Sequence, residues 1–236
     1  MAQGSDSRLM IDEDFFGAAS TLAATTAPPI ALGSLNVVGQ GIAETDSGAP
    51  RMDSDGLNGV IQLTTTNEDV HAAGLQSATM FDVALMGSIV LEARVRQAAL
   101  NTGEVFIGFS DVNTDLAIIE GAICHGDTVT VTLTASDLVG FLMASDLTDN
   151  SDWHGVYNGG TTTGETTSTS VDFDAGATAG EYQVLRLELF PNGTAEWWVD
   201  GVLEQTVTGA VSTSVDLCLN VIVESKTTAV KTMDVD

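Results

Sequence analysis

Residues 181–205, EYQVLRLELFPNGTAEWWVDGVLEQ, decide the fold of this protein. The segment YQVLRLEL alternates apolar and polar side chains with the two-residue period of a half-buried strand. PNGT then supplies a tight turn, since proline presets φ and Asn192-Gly193 tolerates positive φ. WWV is the return strand, and Asp200-Gly201 makes a second reversal before the next extended run. This succession of strands and turns predicts an all-β fold.

The rest of the chain carries the same kind of signal. Alternating or continuous runs of apolar and β-branched residues predict further strands at 59–66, 88–96, 104–110, 127–133, 137–146 and 215–224. Roughly ten to thirteen strands in total predict a two-sheet antiparallel jelly-roll sandwich. We expect one sandwich domain over residues 15–236, preceded by a flexible acidic arm over residues 1–14.

The chain is strongly acidic. It contains 33 Asp and Glu residues against seven Lys and Arg residues, which gives a formal net charge of -26. Such a surface repels phosphate groups and anionic lipid, so we expect neither a nucleic acid nor a membrane surface as partner. Two interpretations of the acidity stay open, which are adaptation to salty water and recognition of cations or a basic partner.

Neither a membrane anchor nor a secretion signal is predicted. No apolar run approaches the roughly 18 residues that a transmembrane helix requires, and the N-terminus lacks a basic region followed by an apolar core. Cys124 and Cys218 lie in apolar segments and are expected to be buried, reduced thiols. The three histidines are scattered, and no Cys/His pair has the spacing of a zinc site.

Several short motifs extend the pattern of the central hairpin. They are EDFFG at 13–17, SIVLEARVR at 88–96, VFIGFSD at 105–111 and the terminal VKTMDVD. Together with LRLELFPNGTAEWWVDGVLEQT, these motifs resemble the concanavalin A-like or laminin-G-like jelly-roll domains of tailed-phage virion structural proteins. The resemblance implies a fold more directly than a function.

If the resemblance extends to function, it implies a non-enzymatic virion protein that decorates or cements a bacteriophage capsid. Such a protein lies on the capsid surface, has the capsid protein lattice as its partner and acts through protein–protein contacts. Self-association is expected as well, and a trimer at a three-fold position of the lattice is one form that it can take.

A carbohydrate-binding or adhesion module, on a tail fibre or a cell surface, is the alternative function. Trp153, His154 and Tyr157 stand close together beside a glycine turn, and they are candidates for a glycan-binding surface because aromatic rings offer flat apolar faces. Trp197 and Trp198 must point to opposite faces of their strand. One of these two is therefore predicted to lie in the core and the other at the surface or an interface.

Domains of this kind also include glycosidases, which need two carboxyl groups about 5–9.5 Å apart. The Glu-x-Asp-x-x-Glu pattern that such enzymes carry on one strand is absent from the sequence. Glu196 and Asp200 come nearest to it, but a strand of this length separates their Cα atoms by about 13 Å. We therefore expect no catalytic residues and no enzymatic activity.

Calcium is the one cofactor that the sequence suggests. Asp111, Asn113 and Asp115 alternate as in the first half of a calcium-binding loop. An EF-hand would also need glycine and glutamate where the chain has Leu116 and Ala122, so the segment is not an EF-hand. Two interpretations stay open, which are an irregular calcium site in a jelly-roll loop and an ordinary acidic turn.

Overall fold

A computed structural model describes residues 30–39, 51–52, 59–114, 119–226 and 228–236. Strands dominate this part of the chain, and its helical structure is a π-helical turn at Ile119–Ile123 and a short helix, α1 (Ser168–Val171). In chain order the strands are β1 (Ile30–Leu32), β2 (Leu35–Val38), β3 (Arg51–Met52), β4 (Ile61–Thr64), β5 (Ala72–Asp82), β6 (Ile89–Gln97), β7 (Gly103–Ser110), β8 (Cys124–Asp127), β9 (Thr130–Leu133), β10 (Leu138–Ala144), β11 (Asp152–Asn158), β12 (Asp172–Gly176), β13 (Tyr182–Leu189), β14 (Ala195–Val199), β15 (Val202–Val207), β16 (Asp216–Ser225) and β17 (Thr232–Val235). The predicted acidic arm, residues 1–14, lies outside the described residues.

The strands form two large sheets that pack face to face. An eight-stranded sheet has the order β1-β2-β5-β16-β7-β10-β11-β12, and a seven-stranded sheet has the order β15-β14-β13-β6-β17-β4-β3. Neighbouring strands in both sheets run antiparallel, and β8 and β9 form a separate small ribbon. This architecture confirms the predicted all-β, two-sheet antiparallel jelly-roll sandwich.

The predicted central hairpin is formed by β13 and β14. Its turn contains Gly193 with a φ of 79°, a backbone conformation that favours glycine. Asp200 and Gly201, with φ of 50° and 81°, make the next turn, as a two-residue hairpin with positive φ requires. The carboxylate of Asp200 accepts a 2.8 Å hydrogen bond from the Val184 N–H, so this residue shapes the turn between β14 and β15.

The space between the two sheets is filled by apolar side chains, of which Trp153 and Trp197 are the largest. The ring of Trp197 is fully buried, and its Nε1 donates a 2.8 Å hydrogen bond to the Gly140 carbonyl. Trp198, the next residue, is half-buried on the outer face of the seven-stranded sheet. The prediction that one of the two tryptophans lies in the core and the other at the surface is confirmed.

A second apolar cluster covers the outer face of the eight-stranded sheet. Phe106, Leu142 and Ile222 point outward from this sheet and pack against the π-helical turn, the β8–β9 ribbon and α1. Cys124 lies in this cluster, and both cysteines are buried and free, as predicted. The cover matters for function because it removes from water any polar side chain that lies beneath it.

Candidate metal centre

The structure places Trp153, His154 and Tyr157 inside the protein. The side chains of Trp153 and Tyr157 point between the two sheets, where they are 0% and 3% exposed. His154 points to the opposite face of β11 and is also 0% exposed. The prediction that these three residues line an exposed sugar-binding surface is therefore wrong, because β11 lies inside the eight-stranded sheet with one face on the core and the other beneath the covering segments.

His154 instead belongs to a group of side chains with the composition of a metal site. One ring nitrogen of His154 and one carboxylate oxygen each from Asp149 and Asp172 all lie within 4.8 Å of one another. Ligand atoms that surround a zinc-type ion at about 2.0–2.2 Å lie about 3–4 Å apart, so small side-chain rotations would close this set around an ion. The two carboxylates are half-buried, which leaves the cluster within reach of solvent.

Three neighbouring segments bring these groups together. Asp149 lies in the loop that joins β10 to β11, His154 lies on β11, and Asp172 begins β12 at the edge of the eight-stranded sheet. The register pairs His154 directly with Asp172. An irregularity between Asp152 and His154 shifts the register of β11 against β12. The Oδ1 of Asp172 also accepts a 3.0 Å hydrogen bond from the Asp174 N–H, which orients this carboxylate.

Both ring nitrogens of His154 are enclosed and have no hydrogen-bond partner in the structure. A neutral imidazole carries one donor and one acceptor, and leaving a buried polar group unpaired costs about 1–3 kcal/mol. Gln76, Asn220 and Ser110 on the same covered face are paired, through bonds from Gln76 to Asn220 (2.8 Å) and from Asn220 to Ser110 (2.9 Å), whereas one oxygen of Glu104 is also unpaired. His154 has neither of its ring nitrogens paired, an arrangement that a bound ion would explain.

The donor set indicates which ions fit. Calcium takes six to eight oxygen ligands, whereas an imidazole nitrogen with two carboxylates suits zinc and related transition metals. Asp152 and Asp174 add carboxylates beside the cluster, and burial, followed by the charge of Asp172, raises the pKa of Asp152. The surplus negative charge of this region favours a divalent cation.

The predicted calcium ligands are only partly described. Asp111 and Asn113 follow the end of β7, and Asp115 lies outside the described residues. The Asn113 side-chain nitrogen approaches the sulfur of Met80 at 3.6 Å, and the Oδ1 of Asp111 is enclosed without a partner. The prediction of a calcium site at Asp111, Asn113 and Asp115 stays a prediction, and the structure describes the Asp149–His154–Asp172 cluster at a different place.

A second group of ionisable side chains lies under the cover on the same sheet face, on β7 and β16. Glu104 and Glu224 pair across β7 and β16, and both are 0% exposed. Burial, and then the charge of Glu104, raises the pKa of Glu224 to about 7. The Nδ1 of His125 lies 2.7 Å from Glu104, and Glu224 accepts a 2.5 Å hydrogen bond from the Ile119 N–H. Glu224 therefore holds the π-helical turn on the sheet, and Glu104 holds β8.

No helix in the described part of the chain is long and apolar enough to cross a membrane. No known protein-family profile and no curated protein matches this sequence. Solved structures do share its fold. The carbohydrate recognition domain of Emp46p matches with a TM-score of 0.54 at 11% identity, over 92% of this chain and 97% of that domain.

Two further structures match at similar levels. Peanut lectin, solved with a bound peptide, has a TM-score of 0.52 at 12% identity over 93% of this chain and 97% of the lectin. A structure from work on endo-acting O-glycanases of the human gut microbiota has a TM-score of 0.55 at 9% identity, over 92% of this chain and 95% of the other. The chain spans 18% of a sialidase, with a TM-score of 0.53 at 8% identity. These matches show a concanavalin A-like jelly-roll fold.

The sequence pointed to His154 but placed it at an exposed surface, and it did not point to Asp149 or Asp172. An Asp149-x4-His154 spacing is too common in loops to indicate a metal site by itself. Asp172 comes from a separate strand, and only the pairing of β11 with β12 brings it to His154. A signal was nevertheless available, since a histidine inside an otherwise apolar strand segment has to find a partner.

Proposed function

We propose that this protein is a carbohydrate-binding module of the jelly-roll type, and that a divalent transition-metal ion held by Asp149, His154 and Asp172 organises its binding site. One observation carries the proposal, which is the fully buried imidazole of His154 with two unpaired nitrogens between two carboxylates. The Oε2 of Glu104 is also buried and unpaired on this covered face, but the other carboxylate oxygen of Glu104 has partners, whereas neither ring nitrogen of His154 has one.

The glycan part of the proposal is supported by the proteins that share the fold. The Emp46p domain and peanut lectin are named for carbohydrate recognition, and both match over nearly their whole length and nearly the whole of this chain. A fold alone does not set a function, so the local chemistry has to supply the contacts. Asp174 is exposed and Asp152 is half-buried beside the cluster, and both offer acceptors for sugar hydroxyl groups.

The metal part assigns a task to each ligand. When bound, the ion supplies positive charge and open coordination positions for ligand oxygens. Asp149 ties the β10–β11 loop to the site, and Asp172 ties the edge strand β12 to it. His154 anchors the site to the interior, because its ring is held between the sheet and its cover. The three residues together would fix a loop and a sheet edge in one geometry before a glycan arrives.

We propose binding rather than cleavage. Glu104 and Glu224 are coupled acids of the kind that glycosidases use, but both are fully buried and neither offers a surface to a substrate. Glu196 is half-buried on β14, and Asp200 is engaged in the turn that follows. A conventional pair of accessible carboxylates is therefore not assembled at these positions.

The test is a glycan array probed with the full chain after EDTA treatment and again after addition of zinc or manganese. We expect glycan binding that the metal restores and that Asp172→Asn abolishes, because this change removes a charged ligand while keeping the size of the side chain. The matched control is Asp216→Asn, at an exposed position of β16 outside the cluster, which should bind as the unchanged protein does.

The two parts of the proposal can fail separately. Calorimetric titration of the EDTA-treated protein with zinc or manganese reports metal binding without any glycan. If Asp172→Asn loses metal binding, and no glycan binds either the metal-free or the metal-loaded protein, the carbohydrate function is wrong and the metal centre stands. If glycan binding is equal with and without metal and is unchanged in Asp172→Asn, the metal centre takes no part in glycan binding.

The capsid-decoration role stays a prediction from the sequence resemblance, and none of the structures named above is described as a virion protein. The same holds for the virion location, the capsid lattice as partner, and a homo-oligomer such as a trimer. Light scattering of the purified chain tests self-association, and co-sedimentation with intact capsids tests the lattice contact. A monomer that does not co-sediment with capsids would leave the carbohydrate-binding proposal unaffected.

A further inference from the structure

The outer face of the seven-stranded sheet contains an open depression of about 410 Å³. It is lined by Glu92, Val184, Arg186, Trp198 and Gly201, and it lies beside the turn between β14 and β15. Its volume falls within the range of about 300–1,000 Å³ that is typical of small-ligand sites. The depression lies on the opposite sheet from the candidate metal centre.

Strand pairing builds this site from one row of residues across four strands. Glu92 of β6 pairs with Arg186 of β13, Arg186 pairs with Trp198 of β14, and Trp198 pairs with Leu203 of β15. Paired residues of antiparallel strands point to the same face, so all four side chains stand on the outside of the sheet. The row therefore places a planar aromatic ring beside a guanidinium group and a carboxylate.

Two carboxylates hold the guanidinium group of this row. The Nη2 of Arg186 lies 2.9 Å from the Oε2 of Glu188, and its Nη1 lies 3.8 Å from the Oε2 of Glu92. These contacts fix the plane of the guanidinium group, while 40% of the side chain remains exposed. The site thus offers held donors on Arg186 and an exposed acceptor on Glu92, and its three charged groups together carry a formal charge of -1.

The other arginines of this face are also held in ion pairs. The whole chain has seven Lys and Arg residues, and three of them, Arg94, Arg96 and Arg186, stand on this outer face. Arg94 pairs with Asp236, and Arg96 bonds to Asp234 at 2.9 Å. In a chain with a formal charge of -26, this surface is one where positive side chains are concentrated and matched.

We propose that this depression binds a neutral hexose unit of a glycan, which stacks on Trp198 and exchanges hydrogen bonds with Arg186 and Glu92. The apolar ring of the indole suits the C–H face of a sugar, and the paired donor and acceptor suit its hydroxyl groups. An anionic ligand would meet Glu92 and Glu188 as well as the charge of the whole chain, and is disfavoured. A purely apolar ligand would leave the exposed ion pair unused and partly desolvated.

This second site goes beyond the function proposed above, because it lies on the other sheet and needs no metal. The probe is a glycan array with neutral oligosaccharides of glucose, mannose and galactose, together with sialylated and sulfated glycans. The full chain is applied in EDTA, which silences metal-dependent binding. We expect binding to neutral glycans that survives EDTA, with an affinity that Trp198→Ala lowers about tenfold or more.

Two further variants separate the contacts from a loss of folding. Arg186→Gln removes the guanidinium group but keeps a polar side chain, and it should weaken binding of the same glycans severalfold. Val90→Ala, at an exposed apolar residue of the same sheet outside the lining, should have no effect. Circular dichroism confirms that each variant is folded. Asp172→Asn should leave this EDTA-resistant binding intact, which distinguishes this site from the metal centre.

Three outcomes would overturn the second site. They are an absence of EDTA-resistant binding on the array, EDTA-resistant binding confined to sialylated or sulfated glycans, and binding to neutral glycans that folded Trp198→Ala retains at full strength. A loss of metal-dependent binding alone would count against the proposed function and leave the second site standing.

Discussion

The two sheets of this sandwich are built by the same alternation of side chains, yet their outer faces differ in chemistry. On the eight-stranded sheet the outer face is covered by the π-helical turn, the β8–β9 ribbon and α1, so its polar residues, such as Glu224 and His154, are fully buried. On the seven-stranded sheet, Arg186 and Glu92 remain 40% and 59% exposed. The cover therefore decides which charged groups stay in contact with water.

The difference shows that the two outer faces of such a fold hold their ionisable groups in different environments. Beneath the cover, burial shifts the pKa of Glu224 to about 7 and leaves His154 without a partner. On the open face, ion pairs between partly exposed groups contribute little stability, typically about 0–1 kcal/mol, and are free to exchange partners with a ligand. We therefore expect the covered face to tolerate substitution poorly at core positions and the open face to tolerate it well.

The largest expected effect contrasts two adjacent tryptophans. Trp197→Ala should lower the free energy of unfolding by about 3–5 kcal/mol, because it empties a fully buried site and removes the hydrogen bond to the Gly140 carbonyl. Trp198→Ala, on the open face, should cost about 1 kcal/mol or less. Urea denaturation measures the free energy of unfolding of both variants. Equal losses would contradict the expected difference between the inner and outer faces.

The next effect concerns pH and Glu224. Its pKa is about 7 in the folded protein, against a usual value of 4.5 that the unfolded chain retains. Between these two values the unfolded chain releases the proton and the folded protein keeps it, so stability falls as the pH rises through this window and is level above it. The penalty above pH 7 is about 3 kcal/mol, at about 1.36 kcal/mol for each unit of pKa shift.

Glu224→Gln tests this effect, since the amide cannot ionise. Relative to the unchanged protein, the variant should become more stable to unfolding as the pH rises from 4.5 to 7. Glu196→Gln, at a half-buried position of the open face, is the control for loss of one negative charge. A difference that does not change with pH would show that Glu224 ionises normally beneath the cover.

A smaller effect is expected at His154, with an unusual sign. His154→Leu should raise the metal-free stability by about 1–3 kcal/mol, because it replaces two unpaired buried nitrogens by an apolar group beside Leu142. The same variant should lose any rise in melting temperature that zinc or manganese produces. Calorimetric melting with and without metal gives both readouts.

His71→Leu is the matched control for this change. His71 is also buried, but its Nδ1 lies 2.9 Å from the Thr66 hydroxyl, so the substitution should lower stability by removing this buried hydrogen bond. A destabilising His154→Leu of the same size would mean that His154 has a structural partner, and it would remove the main support for the metal centre.

The smallest effect is expected for the exposed ion pairs. Arg186→Gln should change the unfolding free energy by about 0.5 kcal/mol, and added NaCl should reduce even this difference. The overall melting temperature should nevertheless rise with NaCl, because salt screens the repulsion within a chain of formal charge -26. Melting curves over a salt series measure both, and a melting temperature lowered by salt would show that repulsion between the acidic side chains does not limit stability.

Much of the fold was predictable because its signals are local. The hairpin of β13 and β14 follows from alternation and from a turn whose residues tolerate positive φ. The continuous apolar run at 104–110 predicted a strand, and every residue of β7 is buried. These features depend on neighbours along the chain, which the sequence displays directly.

The candidate sites were less predictable because they depend on contacts between distant segments. Trp153 and Tyr157 looked like a surface cluster, but β11 has covered faces on both sides, and their pattern alone does not reveal a cover. Asp172 meets His154 only through the pairing of β11 with β12, and Glu104 meets Glu224 only through the pairing of β7 with β16.

The sequence by itself determined the strands, the turns, the acidic surface and the alternation that sends Trp197 inward and Trp198 outward. All of these depend on the chemistry of residues that are close in the chain. Only the tertiary structure decided which polar residues are cut off from water and which face each other. Those outcomes depend on which strands become neighbours and which segment covers them, because burial and charge pairing are properties of the assembled sandwich.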